Sequence, residues 1–217
     1  LESISSLATL SFNNPDWTLA SMVENHGTVV VENAGHPLIP RNKRVLNSFS
    51  TETSPGICLI TGSNMAGKST FLRTLGVNMI IAMAGGPVCA NSFRVSNMKV
   101  HSSMRISDNL EENTSTFYAE LKKLKEIIDA VYKGEKAYLL LDEILRGTNS
   151  ADRQTGSKAL IRQLVNHDAV GLVATHDLEL TKLADEFPNK LHNYHFDVQV
   201  AGEELYFDYK LKDGICQ

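Results

Sequence analysis

The sequence predicts a three-layer α/β fold on a largely parallel sheet, and three observations carry that expectation. Short apolar runs recur at Gly56–Thr61 (GICLIT), Ala137–Leu141 (AYLLL) and Val170–Ala174 (VGLVA), as strands buried on both faces do. Segments with apolar residues at helical spacing separate them, so that helices can cover both sheet faces. Each run leads into polar residues at its C-terminal end: glycines, an acidic pair and Thr-His.

In chain order, Leu1, Ile4, Leu7 and Ala8 lie at helical spacing, and Asn13-Asn14-Pro15 breaks the pattern. Residues 1–20 read as the end of a preceding helical domain and residues 21–217 as the main domain. Thr28–Glu32 is β-branched and short, a strand followed by turn-rich Asn33–Pro40. After Gly56–Thr61, the residues Leu72, Leu75, Gly76, Met79, Ile80 and Met83 share one helical face until Gly85-Gly86-Pro87 ends it. Met98–Ile106 alternates weakly as a strand, and Phe117, Leu121, Leu124, Ile128 and Val131 make an amphipathic helix that stops near Gly134. Ala159, Leu160, Leu164 and Val165 line a helix between the second and third apolar runs. Leu180, Leu183, Ala184 and Phe187 predict another, closed by Pro188. Tyr194–Val200 and Glu204–Leu211 read as a hairpin around Ala201-Gly202.

The 217 residues suffice for one sizeable domain, and 42% hydrophobic with 21% charged residues is ordinary globular composition. A formal net charge of -4 gives no basic field that would grip a phosphate polymer. Cys58, Cys89 and Cys216 are scattered and unpaired in spacing, as reduced thiols of a cytoplasmic protein are. No apolar run approaches the ~20 residues of a membrane span, so no membrane contact is visible within this segment. The chain opens on Leu1 without an initiator Met and reads as a piece of a longer protein, truncated at its C-terminus.

Gly62-Ser63-Asn64-Met65-Ala66-Gly67-Lys68-Ser69 matches G-x-x-x-x-G-K-[ST] at every fixed position, and Thr70 follows it. The glycines let backbone N–H groups curl around phosphates, and the following helix directs its positive end at them. Lys68 is then expected on the β- and γ-phosphates of ATP, and the Ser69 hydroxyl on Mg2+. The motif follows an apolar strand and precedes an amphipathic helix, the context it requires.

Asp142-Glu143 ends the second apolar run. Behind a phosphate loop, Asp142 takes the place of the second Mg2+-holding group, and Glu143 that of a base for the attacking water. Two solvated carboxylates in a strand-to-loop turn are the plain alternative. Thr175-His176 follows the third run, where His176 can hydrogen-bond a γ-phosphate or simply be a loop residue.

Thr61–Thr70, Asp142-Glu-Ile-Leu-Arg-Gly-Thr148 and Ala174-Thr-His176 together resemble the ATPase domain of the MutS DNA mismatch repair proteins. Gly35-His36-Pro37 and Ser115-Thr116-Phe117, with Glu120 beyond, extend the resemblance, which runs from about Val29 to the C-terminus. It implies a phosphate-loop ATPase of the ABC type, working as a homodimer or MutS-like dimer that sandwiches two nucleotides. It implies that Ser115 and Thr116 act in trans on the partner's γ-phosphate, although in isolation an ordinary helix N-cap is the preferred explanation. It further implies Asn64 near the γ-phosphate, Arg146 and Thr148 shaping the loop after the acidic pair, and Tyr209 stacked on adenine. DNA would be held by domains outside the segment.

The chain departs from the family pattern at Ala66 and Leu145, each in place of glycine, at Asn113, and at Asp152-Arg153. Ala66 adds a methyl where backbone approach is close, and the set marks a divergent MutS-related protein. Two functions fit: an ATPase driving a DNA clamp, or a nucleotide-gated DNA-binding module in which hydrolysis is incidental. No Leu-Ser-Gly-Gly-Gln-like segment supports a transporter motor.

Overall fold

The computed structural model describes residues 1–104, 116–201 and 204–215. The chain begins with α1 (Glu2–Asn13), β1 (Thr18–Leu19), β2 (Ser21–Val23), β3 (Val29–Ala34) and β4 (Asn47–Ser50). The first apolar run is β5 (Ile57–Thr61), followed by α2 (Lys68–Met83). Three strands, β6 (Pro87–Val88), β7 (Ser92–Ser96) and β8 (Lys99–Ser103), precede α3 (Thr116–Tyr132). Then come β9 (Ala137–Asp142), α4 (Ser150–Asn166), β10 (Val170–Ala174) and the short α5 (Leu183–Glu186). The chain closes with β11 (Leu191–Phe196), β12 (Gln199–Ala201), β13 (Glu204–Tyr206) and β14 (Leu211–Asp213).

The expected α/β architecture is present. A six-stranded sheet runs in the order β14-β11-β5-β10-β9-β8, and only β14 is antiparallel to its neighbour. Alternation along each central strand sorts the core into two layers. Cys58 and Ile60 of β5, Tyr138 and Leu140 of β9, and Leu172 of β10 join Leu72, Leu75 and Met79 of α2. Ile57 and Leu59, Leu139 and Leu141, and Val173 join Leu124 and Ile127 of α3 and Ile161, Leu164 and Val165 of α4 on the other face. Truncating one of these fully buried leucines to alanine costs about 2–5 kcal/mol.

The layer on the α2 face is not helix alone. A second, four-stranded sheet of order β2-β7-β3-β4 packs there, with Val29, Val31, Phe49, Phe93 and Val95 in the same core cluster as α2. The predicted strand at Thr28–Glu32 therefore belongs to this sheet, where β3 pairs antiparallel with β4 and β7. Its residues alternate between buried and exposed along part of its length, as one-sided antiparallel strands do.

Two expectations near the C-terminus are corrected. The Leu180–Phe187 pattern forms a 3-10 turn over Leu178–Lys182 that runs into the four-residue α5. Leu180 and Leu183, both buried, are three residues apart and align in a 3-10 turn as readily as in an α-helix. The predicted hairpin is split: residues 191–196 form a strand parallel to β5, the hairpin shrinks to β12 and β13, and β14 returns antiparallel to β11. His192, Asn193 and His195 interrupt β11, which hides a buried strand behind polar letters. Among the described residues, no helix is long and apolar enough to cross a membrane.

Candidate functional site

The loop between β5 and α2 is shaped by close approach and by unusual backbone. A Cβ on Gly62 would sit 2.7 Å from the Phe196 carbonyl oxygen, so β11 leaves room for hydrogen only. Gly67 caps α2 at φ 109, and Met65 also has positive φ, at 70. The first turn of α2 holds no acidic residue, so its free N–H groups and positive dipole end face the loop uncompensated. That combination suits an anion.

Ser63, Asn64, Met65, Gly67, Lys68, Ser69 and Thr70 line a cleft of about 740 Å³. This lies in the range of small-molecule sites, about 300–1,000 Å³. Gly62 and Ala66, in the same loop, do not line the cleft. Ala66 is buried in the core cluster that holds Phe71 and Phe196, so its methyl points away from the cleft instead of narrowing it.

Lys68 is buried at the start of α2. Its Nζ donates to the carbonyl oxygens of Gly62 (2.7 Å) and Ser63 (2.9 Å), which holds the ammonium over the loop. Burial pushes its pKa below the ordinary lysine value, against the opposing pull of Glu143 and Asp142. An arriving phosphate would supply the counter-charge that this burial withholds.

Strand register delivers the acidic pair. Asp142, the last residue of β9, is level with Ala174 on β10, which is level with Ile60 on β5, so the carboxylate stands beside the loop's origin. Asp142 is buried, and its Oδ1 has no hydrogen-bond partner among the described residues. It lines the same cleft as Ser69. Among the described residues, no group of three or more His, Cys, Asp or Glu forms a self-sufficient metal cage. A hydroxyl and one carboxylate fit a cation that takes its other ligands from phosphate and water, as Mg2+ does.

Glu143 turns out of the strand with φ 49, and its N–H donates to the Ala174 carbonyl (2.8 Å). Its carboxylate is a hub: Oε1 lies 3.9 Å from Lys68 Nζ, Oε2 pairs with Arg146, and His176 Nδ1 is 3.5 Å from Oε2. His176 does not line the main cleft. It borders a small hollow with Glu143, Arg146 and Arg153, and meets the site through Glu143. Leu145, one of the departures from the family pattern, has φ 60, a conformation that glycine adopts freely.

The opposite wall comes from distant parts of the chain. Tyr209, at φ 53, reaches the cleft, with its ring stacked on Phe207 at 5.9 Å and lying over Gly67. Asn47 of β4 fastens it, donating to the Tyr209 carbonyl (3.0 Å) and accepting the Leu211 N–H (2.8 Å). His36 also lines the wall. Burial lowers its pKa, and Arg73 and Arg44 lower it further. Its Nδ1 accepts the Leu38 N–H at 3.2 Å, which requires the unprotonated nitrogen. The buried Asn78 pins this segment to α2 through Gly35 O (3.0 Å) and the Cys89 N–H (2.8 Å).

Asn47, Lys43, Val45 and Arg73 line the cleft without having stood out in the sequence. Arg73 follows Ser69 by one helical turn, a spacing that could have identified it. Ser115 lies outside the described residues. α3 begins at Thr116, and the Thr116 side chain lies outside them too.

The family profile for MutS domain V matches residues 58–217. "MutS protein homolog 4" of Homo sapiens is 31% identical over 201 residues, covering 88% of this chain and 21% of that protein. "DNA mismatch repair protein MutS" of Thermotoga petrophila is 29% identical over 219 residues, covering 100% of this chain and 27% of that protein. "DNA mismatch repair protein MutS 2" of Halobacterium salinarum is 34% identical over 191 residues, covering 85% of this chain and 21% of that protein. The chain thus spans between a fifth and just over a quarter of the length of these relatives.

Proposed function

The chain belongs to the MutS family, through its domain V, and on that premise we propose that it is a Mg2+-dependent, ABC-type phosphate-loop ATPase domain. The carrying observation is the convergence of Lys68 and Glu143, 3.9 Å apart, at the positive end of α2. One pole binds phosphate and the other receives a proton, and both stand at the mouth of one cleft.

In this reading the N–H groups of Gly67 to Thr70 and the Lys68 ammonium hold the β- and γ-phosphates of ATP. Ser69 and Asp142 hold Mg2+, whose charge offsets that of the phosphates; the unpartnered, buried Asp142 Oδ1 supports this assignment. Glu143 orients a water whose oxygen attacks the γ-phosphorus. The bond to the bridging oxygen of ADP breaks, and the water's proton passes to the Glu143 carboxylate. His176 and Arg146 hold that carboxylate in place. Tyr209 and the His36 wall receive the nucleoside.

A dimer that brings Ser115 and Thr116 to the partner's nucleotide would complete the site. Turnover would drive a DNA-binding clamp outside this segment, in mismatch repair. The net charge of -4 agrees with DNA being held elsewhere.

One observation favours a second reading, a nucleotide-gated switch in which hydrolysis is incidental. Arg146 pairs directly with the Glu143 carboxylate and competes with a water for it. Single-turnover hydrolysis separates the two. The ATPase reading expects Mg·ATP to be cleaved by the wild type. Glu143→Gln should still bind ATP but cleave it on the order of 10²–10⁴-fold more slowly. Equal rates in the two proteins would remove Glu143 from the chemistry.

A further inference from the structure

We propose that Glu120 is a positioning residue for hydrolysis, setting from α3 the turn that presents Glu143; this rests on the ATPase reading above. The turn after β9 is built from unfavourable backbone. Glu143 and Leu145, both L residues with Cβ atoms, hold φ values of 49 and 60, in a region that side chains disfavour. Such a turn persists only where its surroundings over-determine it.

The surroundings are specific. The Glu143 N–H is taken by the Ala174 carbonyl at 2.8 Å. The Leu145 N–H is taken by the Glu120 carboxylate, Oε1 at 2.5 Å. Gly147 packs against Phe117 so closely that a Cβ there would lie 2.5 Å from the Phe117 Cβ. Leu145 Cδ1 fills the space beside Gly156 on α4, where a Cβ would lie 2.7 Å from it.

Phe117 and Glu120 are three residues apart and share a face of α3. That face is docked on the turn by one apolar contact and one charge-assisted hydrogen bond, the stronger class of such bonds. Glu120 does not itself line the cleft. It acts through the Leu145 amide, two residues from the base. α3, which carries Glu120, starts at Thr116, directly after Ser115 in the chain. Glu120 thereby links the segment expected to face one nucleotide with the base expected to act on the other.

The test compares wild type, Glu120→Ala and Glu120→Gln in the intact protein with Mg·ATP. Glu120→Ala should lower kcat by about 10-fold or more while KM stays within about 3-fold. Glu120→Gln keeps an acceptor oxygen and should recover kcat to within about 3-fold of wild type. Amide hydrogen exchange at Leu145, measured without nucleotide, should be faster in Glu120→Ala and near wild type in Glu120→Gln.

An unchanged kcat in Glu120→Ala would overturn the proposal, as would a Glu120→Gln as slow as the alanine variant. A raised KM with a matching loss of thermal stability would do the same, since it marks a merely structural contact. If wild type itself does not cleave ATP, the ATPase reading fails, while exchange at Leu145 still decides whether Glu120 sets the turn.

Discussion

Asn47 and Tyr209, 162 residues apart in the chain, meet at the cleft wall, where the Asn47 amide donates to the Tyr209 carbonyl at 3.0 Å. The same side chain accepts the Leu211 N–H, so one buried amide fastens the C-terminal segment on both sides of Lys210. Asn47→Ala leaves both backbone groups without this partner, at a cost of about 1–3 kcal/mol. With the Tyr209 wall loosened, the KM for ATP should rise about 3- to 10-fold while kcat stays within about twofold. Steady-state kinetics and thermal unfolding of the variant check this, and an equal fall in kcat would contradict it.

Two glycines give opposite expectations. A methyl on Gly147 meets the Phe117 Cβ, which is fixed to the α3 backbone, so the helix or the turn must move. Gly147→Ala should cost about 1–3 kcal/mol and slow turnover with it. A methyl on Gly156 meets only Leu145 Cδ1, the far end of a flexible side chain, and replacing a mid-helix glycine gains about 0.5–1 kcal/mol. Gly156→Ala should therefore unfold at or above the wild-type temperature, and a large drop would count against this packing.

The proposed metal dependence is tested at Asp142. Its buried Oδ1 has no hydrogen-bond partner among the described residues and shares the cleft with Ser69. Asp142→Asn should lower Mg2+-dependent turnover by about 100-fold or more, and chelation with EDTA should abolish turnover in wild type. Full activity in EDTA would remove the metal from the scheme.

His36 predicts a pH effect whose sign is fixed by its surroundings. Burial, then Arg73 and Arg44, lower its pKa in the folded chain below the ordinary value of 6.5. The unfolded state then binds the proton more readily, so stability rises with pH between the two values. The contribution is fully present above pH ~6.5 and is lost as pH falls through the folded pKa, when protonated Nδ1 can no longer accept the Leu38 N–H. Between pH 7.5 and pH 5, wild type should lose more thermal stability than His36→Asn. Parallel losses would show that His36 is not the titrating group.

How far the letters reach is instructive. The Gly62–Ser69 loop and Asp142-Glu143 are legible because their chemistry lies in residue type at fixed local spacing. The strands β5, β9 and β10 are legible because burial on both faces leaves only apolar residues. β11 is not: His192, Asn193 and His195 sit in a strand parallel to β5, and Asn193 spends its amide on the Thr181 carbonyl. Of the second sheet only β3 is legible, at Thr28–Glu32, because Asn47–Ser50 and Ser92–Ser96 carry serines on strands with only partly buried faces. Asn47 itself is an ordinary residue type whose meaning rests on a partner far along the chain. The resemblance supplied Gly35-His36-Pro37 and Glu120; only the structure shows Asn78 pinning the first and the Leu145 amide taking the second.

The place of β5 at the middle of its sheet bears on how the domain is made. Its two neighbours, β10 and β11, both lie more than a hundred residues further along the chain. On a ribosome adding about 5–20 residues per second, the strand bearing the phosphate loop emerges several seconds before either mate exists. For that interval its backbone donors and acceptors are without their sheet partners, beside an apolar sequence prone to stray association. Such non-local pairing slows folding. The central strand thus waits for partners that the chain supplies more than a hundred residues later.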